Sequence, residues 1–543
     1  MRAISELLGA WTSIHGSSAT FHLASLLGFS LIAAAAMALV LLQRIRGRHK
    51  KKVKALPVPA STLPLLGNTI DTMKTQQHRL FDWISDESAR VGGQLWELRI
   101  LGRPRTIIAT SPAIFEDMLK TQVHIFEKGP LATFLQRDFF GSGILAVDGD
   151  EWFFQRKSAS HLFSLRMMKD VMSDVIREKA ALLHDVLMHH ARKQQPLSFR
   201  KTITHFTSDV FAKIGFGIEL DCLQRSLVGD DVNAFMQAFT TCSQVIQRRL
   251  QQPTWLWRLK RWLDIGDERT YKREMRVIDS LIYDIIAKSM AHKAAAPTPS
   301  SDLLSLFLES KRTSGAIDKN DVIAIRDMVV NFVFAGKDTT SNSMMWFIVI
   351  MNRYPDIAEK IRDELRAKLP ALFRSETPLW VPTMDDLQDL TYLEAAIREN
   401  LRLNPPVPQT ARSANAATVL CDGTAVNAGD RVVIAMYAAA RQPSVWGEDA
   451  CEFRPERWID ERTGELLTKS PFQFSAFLAG PRICLGRKFA MLEMKITIAL
   501  LMSRFELKTL QNPWEVTYEI AITAPVRGPL DVQVIPLQVA AVA

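Results

Sequence analysis

Apolar residues recur at three- and four-residue spacing over most of the stretch from about residue 70 to 415, the signature of helices that bury one face. The clearest cases are Met167–His190 and Val322–Met351. Strict alternation, the mark of a half-buried strand, is confined to Leu95–Ile100, Arg105–Ala109, Arg431–Met436 and Asp531–Pro536. The pattern predicts one large, mainly α body with small β-sheets. One segment stands apart: Phe21–Leu42 runs 22 residues without a charge, and only His22, Ser25 and Ser30 are polar. As a helix it is roughly 33 Å long, enough to cross the hydrocarbon of a bilayer. No later stretch is comparably long and uncharged, so a single span is expected.

Chain breakers divide the rest. Leu56-Pro57-Val58-Pro59 and Leu63-Pro64-Leu65-Leu66-Gly67-Asn68 predict a stiff, non-helical hinge, because proline removes donors and fixes φ. Ala294–Ser301 reads as a surface linker between helices. The expected organisation is therefore a short lumenal N-terminus (1–20), a transmembrane signal anchor (21–42), a basic and Pro-rich linker (43–68) and a catalytic body (69–543).

Composition changes this picture in one respect. The hydrophobic class is 47% and the charged class 23%, which supports a packed core and excludes a disordered chain. The net charge of +9 raises the question of nucleic acid, but seven positives fall in the unbroken run from Arg44 to Lys54. The remainder is close to neutral, so no nucleic-acid partner is expected. A run of this kind is a solvated tail by default. Its position after the apolar stretch fits a signal anchor better than a cleavable signal peptide, whose basic end comes first. The positive-inside rule then places everything from Arg44 onward in the cytoplasm.

The five cysteines (Cys222, Cys242, Cys421, Cys451, Cys484) form no C-x-x-C pair and fit a reducing compartment. All eleven histidines lie at or before His292, which leaves the C-terminal half little to ligate zinc or a His-bound haem. Cys484 is different. It lies in Phe477-Leu-Ala-Gly-Pro-Arg482-Ile-Cys484-Leu-Gly486, ahead of the apolar run Phe489–Ile498. Two glycines flank it where backbone would approach a flat ligand closely. A helix starting just after the thiol aims its N–H groups at the sulfur and favours thiolate. Taken alone, a buried structural cysteine is the default. The full pattern Phe-x-x-Gly-x-Arg-x-Cys-x-Gly is specific, and here the chain resembles the haem-thiolate loop of the cytochrome P450 family.

Other segments share the resemblance, in the family's order and over roughly residues 55–540. Glu399-Asn-Leu-Arg402 and Phe453-Arg-Pro-Glu-Arg457-Trp458 are unremarkable singly. In the family, Glu399, Arg402 and Arg457 would form a structural triad behind the haem. Trp152-Phe-Phe-Gln-Arg156 is similar to the motif whose Trp and Arg hold a haem propionate; Arg482 and Arg412 match further propionate partners, and Phe477 belongs to the cofactor loop. Ala335-Gly-Lys-Asp-Thr-Thr340 interrupts a helical pattern with poor helix formers, where a local distortion or ligand space is expected. In the family this is the distal oxygen groove: glycine makes room for dioxygen, and Asp338 and Thr339 relay protons. Phe334, Ala335 and Val407 are the substrate-pocket candidates.

The resemblance implies haem b with Cys484 as axial ligand to its iron, an arrangement that favours O–O cleavage. It further implies a lipophilic substrate, dioxygen and electrons from NADPH. No G-x-G-x-x-G fingerprint or flavin domain occurs, so a separate NADPH–cytochrome P450 reductase is implied, with cytochrome b5 as a second donor. Arg487, Lys488 and Lys157 would attract its acidic surface. The anchor suits the microsomal type, on the endoplasmic reticulum membrane. Within the family the chain is most similar to plant and fungal fatty-acid and alkane ω-hydroxylases, through Trp257–Glu268, Ala335–Thr340 and Phe474–Arg482. Animal-type fatty-acid hydroxylases carry a glutamate where Ala335 stands, so covalent haem attachment is not expected. Other lipophilic substrates (an alkane, a sterol, a secondary metabolite) remain alternatives. A haem-thiolate isomerase or dehydratase, or a haem sensor, would not need the Asp338–Thr339 pair.

Overall fold

A computed structural model of the chain describes residues 55–160, 163–228, 233–295, 304, 318–375, 378–538 and 540–541. The anchor at 21–42, the basic run and most of the expected linker at 294–301 lie outside the described residues. Among the described residues no helix is long and apolar enough to cross a membrane. A compact unit runs from Leu56 to Ala543, so the Pro-rich segment is part of the body. Its extended backbone is docked there: Pro57 accepts from the Glu97 N–H at 2.8 Å, and Gly67 bridges to Ile100.

The elements that position the site are, in chain order, β1 (Trp96–Leu98), β2 (Thr106–Ala109), β3 (Phe126–Glu127), α1 (Gly129–Phe140), α2 (Gly149–Ser160), α3 (Phe199–Phe216), α4 (Lys319–Arg353), α5 (Thr391–Leu403), β4 (Thr410–Ala414), β5 (Arg431–Ile434) and α6 (Arg487–Arg504). The fold is mainly helical. The five strands form one sheet in the order β1-β2-β5-β4-β3, with β2 and β5 parallel and the other pairs antiparallel. A second sheet pairs Asp531–Pro536 with Phe505–Thr509 on one side and Leu197–Ser198 on the other. The four alternating segments are all strands. β3, β4 and Phe505–Thr509 were not expected: two-residue strands show no period, and β4 (Thr-Ala-Arg-Ser-Ala) lacks a strongly apolar face.

The pattern at Met167–His190 is a helix with a defect, since a π turn at Met168–Met172 separates Leu165–Met167 from Ser173–Lys193. α4 is the central helix. Asp318 caps it by accepting from the Asp321 N–H, and the Asp321 carboxylate returns the bond in a capping box. Contrary to the expected distortion, Ala335–Thr340 is continuous α-helix. Tertiary packing overrides weak propensity here. A Cβ on Gly336 would stand 2.2 Å from the Phe211 ring of α3, so only glycine lets α3 and α4 pack this closely. The hydroxyls are absorbed within the helix: Thr339 donates to the Ala335 carbonyl at 2.7 Å and Ser343 to that of Thr339 at 2.9 Å.

Candidate active site

α6 begins immediately after the cysteine loop, with Gly486 as its N-cap residue. The loop is tied down by the Cys484 N–H donating to the Phe477 carbonyl at 2.8 Å and by Ile483 N–H to Gly480 at 3.1 Å. Gly480 has φ +64°, and a Cβ there would lie 2.0 Å from the Leu119 carbonyl. The close approach expected of a flat ligand is thus, at Gly480, an approach of protein backbone. Cys484 lies deep among protein atoms, yet its side chain is accessible, so the sulfur faces interior space. Burial pushes the thiol up, and the Gly486 N–H, Arg156 and Arg487 pull it back. Arg156 donates to the Ile483 carbonyl at 2.9 Å and so braces the loop beside the sulfur.

Cations gather nearby. Arg482 stacks on Trp152, its guanidinium carbon 3.9 Å from the ring centroid, while Arg156 stands 5.6 Å from the same ring. Arg482 reaches the Asp148 carboxylate at 2.5 Å, and that carboxylate also accepts from the N–H groups of Lys128 and Gly129 at the start of α1. Arg412 is buried on β4, bonded only to the Ala411 carbonyl and the Thr410 hydroxyl. Burial lowers Lys128 strongly, and Arg412 to about 10; each is repelled by Arg482, with only Asp148 opposing. Three cations around one carboxylate are short of negative charge.

On α4, every residue from 325 to 351 is fully buried except Ala335, Gly336, Asp338 and Thr339. Ala335, Asp338 and Thr339 lie within one turn where the helix is less tightly covered, while Gly336 beside them packs against Phe211. Asp338 is ion-paired with the buried Lys337. Phe334 does not share that face. It packs edge-on against Phe140 at 5.2 Å and lines a cavity of about 230 Å³, together with Val407, Lys128 and Arg412. Cys484, Ala335 and Thr339 do not line that cavity.

Glu399, Arg402 and Arg457 meet behind this region. Glu399 accepts from Arg402 twice at 2.8 Å, from Arg457 at 3.3 Å, from the Trp458 indole at 2.9 Å and from the Arg454 N–H at 3.0 Å. Lys128 was not singled out from sequence, because its neighbours come from β4 and from the loops carrying Asp148 and Arg482. Glu493 was missed too, although a lone acid in the apolar run Phe489–Ile498 was a signal. It is buried on α6 with no cation beside it among the described residues, and burial raises it to about 8, opposed only by the Thr340 hydroxyl.

That raised value predicts a pH dependence. Folded Glu493 keeps its proton to about pH 8, whereas an ordinary glutamate releases it near 4.5. The folded chain binds more protons in that window, so this group's contribution to stability falls as pH rises through it. Glu493→Gln should remove the penalty, on the order of 4 kcal/mol at pH 8.5 and close to zero at pH 4. Urea midpoints of both proteins at the two pH values check this; an equal difference at both would show that Glu493 does not titrate as argued.

A porphyrin-bound iron fits these residues. Among the described residues no group of three or more His, Cys, Asp or Glu could hold a bare metal ion, whereas a lone deep thiol suits an iron whose in-plane donors come from a macrocycle. The excess cations suit its two carboxylates. The residues therefore suit a haem, with Cys484 as the candidate sulfur ligand. The chain belongs to the cytochrome P450 family, whose sequence model matches residues 57–527. It is 31% identical to cytochrome P450 94B1 of Arabidopsis thaliana over 89% of this chain and 92% of that protein. It is 30% identical to cytochrome P450 86B1 of the same plant (90% and 87%) and 32% identical to cytochrome P450 CYP94D108 of Paris polyphylla (86% and 90%). The protein is a monooxygenase that takes haem, dioxygen, a lipophilic substrate and electrons from a reductase partner.

Proposed function

We propose that the protein hydroxylates long-chain fatty acids at or near the terminal carbon. The observation that carries this is the cavity beside α4, walled by Phe334, Val407, Ile108, Val433 and Leu250. An unbranched chain offers no directional group near its end, so an apolar wall must select it. Each buried methylene contributes about 0.8 kcal/mol, so affinity rises with chain length. Terminal C–H bonds are the strongest in the chain, and attack there requires that inner carbons be sterically excluded. The ω-hydroxylase-like segments and the similarity to the cytochromes P450 94 and 86 support the reading.

In this reading haem b supplies oxygen activation, and the protein's residues do the rest. Cys484 would ligate the iron; Lys128, Arg412, Arg482 and Arg156, with Trp152, would hold the propionates. Thr339, assisted by Asp338, would hold and supply protons for the oxygen chemistry, a positioned-acid role worth about 10²–10⁴-fold. Electrons come from NADPH through a separate reductase, with cytochrome b5 as a second donor. Phe153, Phe154 and Lys157 of α2 and Arg487 and Lys488 at the start of α6 are exposed, and would offer the reductase apolar and cationic contacts.

With reductase and NADPH, the protein should convert a long-chain fatty acid to its ω-hydroxy product. Thr339→Ala should still bind haem and substrate but release hydrogen peroxide in place of product. Turnover of sterols or aromatics but no fatty acid or alkane would overturn the substrate; unchanged coupling in the variant would overturn the role of Thr339.

Residues 21–42 would anchor the protein in the endoplasmic reticulum membrane as a single span, its catalytic body facing the cytoplasm. Protease added outside sealed microsomes should then digest the body. Protection of the body would reverse the topology.

A further inference from the structure

β5 runs beside β2 in parallel register, with Thr106 opposite Arg431 and Ile108 opposite Val433. Side chains alternate across a strand, so Arg431 and Val433 share one face, and both paired residues share it with them. All four line the cavity beside Phe334. That face carries an apolar strip with a guanidinium at its end.

Among the described residues no carboxylate neutralises this guanidinium. Among the described residues the Arg431 side chain has no hydrogen-bond or ion-pair partner, and it lines the cavity. The acids nearest in sequence and register are engaged elsewhere: Asp430 with Arg105 at 3.1 Å and with the Asn427 N–H at 2.9 Å, and Glu97 with Arg99 at 2.9 Å. Burial lowers Arg431 to about 10 with no carboxylate opposing. Two further groups on the same wall have unused capacity. Arg103 is held by the Gln252 carbonyl at 2.9 Å, but its Nη1 is buried without a partner. Gln251 is 4% exposed, and both polar atoms of its amide are unpaired. Buried donors without acceptors are costly unless a ligand supplies the acceptor.

We propose that Arg431, with Arg103, Gln251 and Thr106, forms the binding site for the carboxylate of the substrate, whose chain lies along Ile108 and Val433. This rests on the fatty-acid reading and deepens it. A guanidinium matches a carboxylate through two parallel N–H bonds, and the amide of Gln251 adds a neutral donor. The anchor selects acids over alkanes and esters. It also fixes one end of the chain, so the depth of the other end depends on chain length.

The test uses the full-length haem-loaded protein and compares hexadecanoate with its methyl ester by equilibrium binding. Wild type should bind the acid more tightly than the ester. Arg431→Gln should weaken the acid about 10- to 100-fold and leave the ester unchanged, since charge-assisted bonds are lost but the apolar strip is not. Arg431→Lys should keep part of the preference. Retained ester binding shows that the variant is folded. An equal loss for acid and ester, or no loss, overturns the anchor. A wild type that binds acid and ester alike overturns it while leaving chain hydroxylation standing; a wild type that binds neither overturns both.

Discussion

Cys484→Ala protein, reduced under carbon monoxide, should show no red-shifted Soret band and turn over no substrate. The band requires a thiolate bound to iron, and Cys484 alone among the five cysteines combines depth, accessibility and a helix start at its sulfur. Cys222 and Cys242 are sealed in the core, where burial lifts both thiols far above the usual range. Cys421 and Cys451 are exposed and lie outside the Phe477–Gly486 loop. The Gly486 N–H, Arg156 and Arg487 all favour sulfur as an anion, and coordination to a metal completes the deprotonation. Alanine removes the ligand and none of its surroundings, so far-ultraviolet circular dichroism should stay unchanged. A variant that keeps the band would require another axial ligand and would overturn the assignment.

Glu399→Ala should be the most damaging substitution for stability. This fully buried carboxylate receives five hydrogen bonds, three of them from guanidinium groups. Its removal leaves Arg402 a buried cation with no carboxylate and Arg457 with only its pair to Asp449, a loss of about 3–5 kcal/mol. Against a typical total of roughly 5–15 kcal/mol, that leaves much of the chain unfolded or unable to retain haem. Arg398→Ala is the control: its pair with Glu394 is half-buried, and its loss should cost about 1 kcal/mol. Urea midpoints of both variants check the contrast. A Glu399→Ala midpoint as close to wild type as that of Arg398→Ala would mean that the triad is not structural.

Local pattern and motif spacing were informative wherever a property is carried by neighbours in sequence. Helix α4, the four alternating strands and the loop around Cys484 are of this kind, because period and turn chemistry act over a few residues. The roles of the glycines were harder to read. Gly336 and Gly480 were both taken as room for a ligand, yet their missing side chains accommodate Phe211 and the Leu119 carbonyl. A glycine in sequence shows that something comes close, and only the fold shows what.

The sequence by itself determined the family and the Glu399, Arg402 and Arg457 set, and singled out Cys484 as the candidate thiol, since each rests on a short ordered motif. The tertiary structure alone decided that Lys128 joins Arg412 and Arg482 around Asp148, that Glu493 is buried away from any cation among the described residues, and that Arg431 closes the end of an apolar strip. These depend on strand register and on packing between segments up to several hundred residues apart. Charge balance at such a point is set by what other segments bring there, and no local pattern records it.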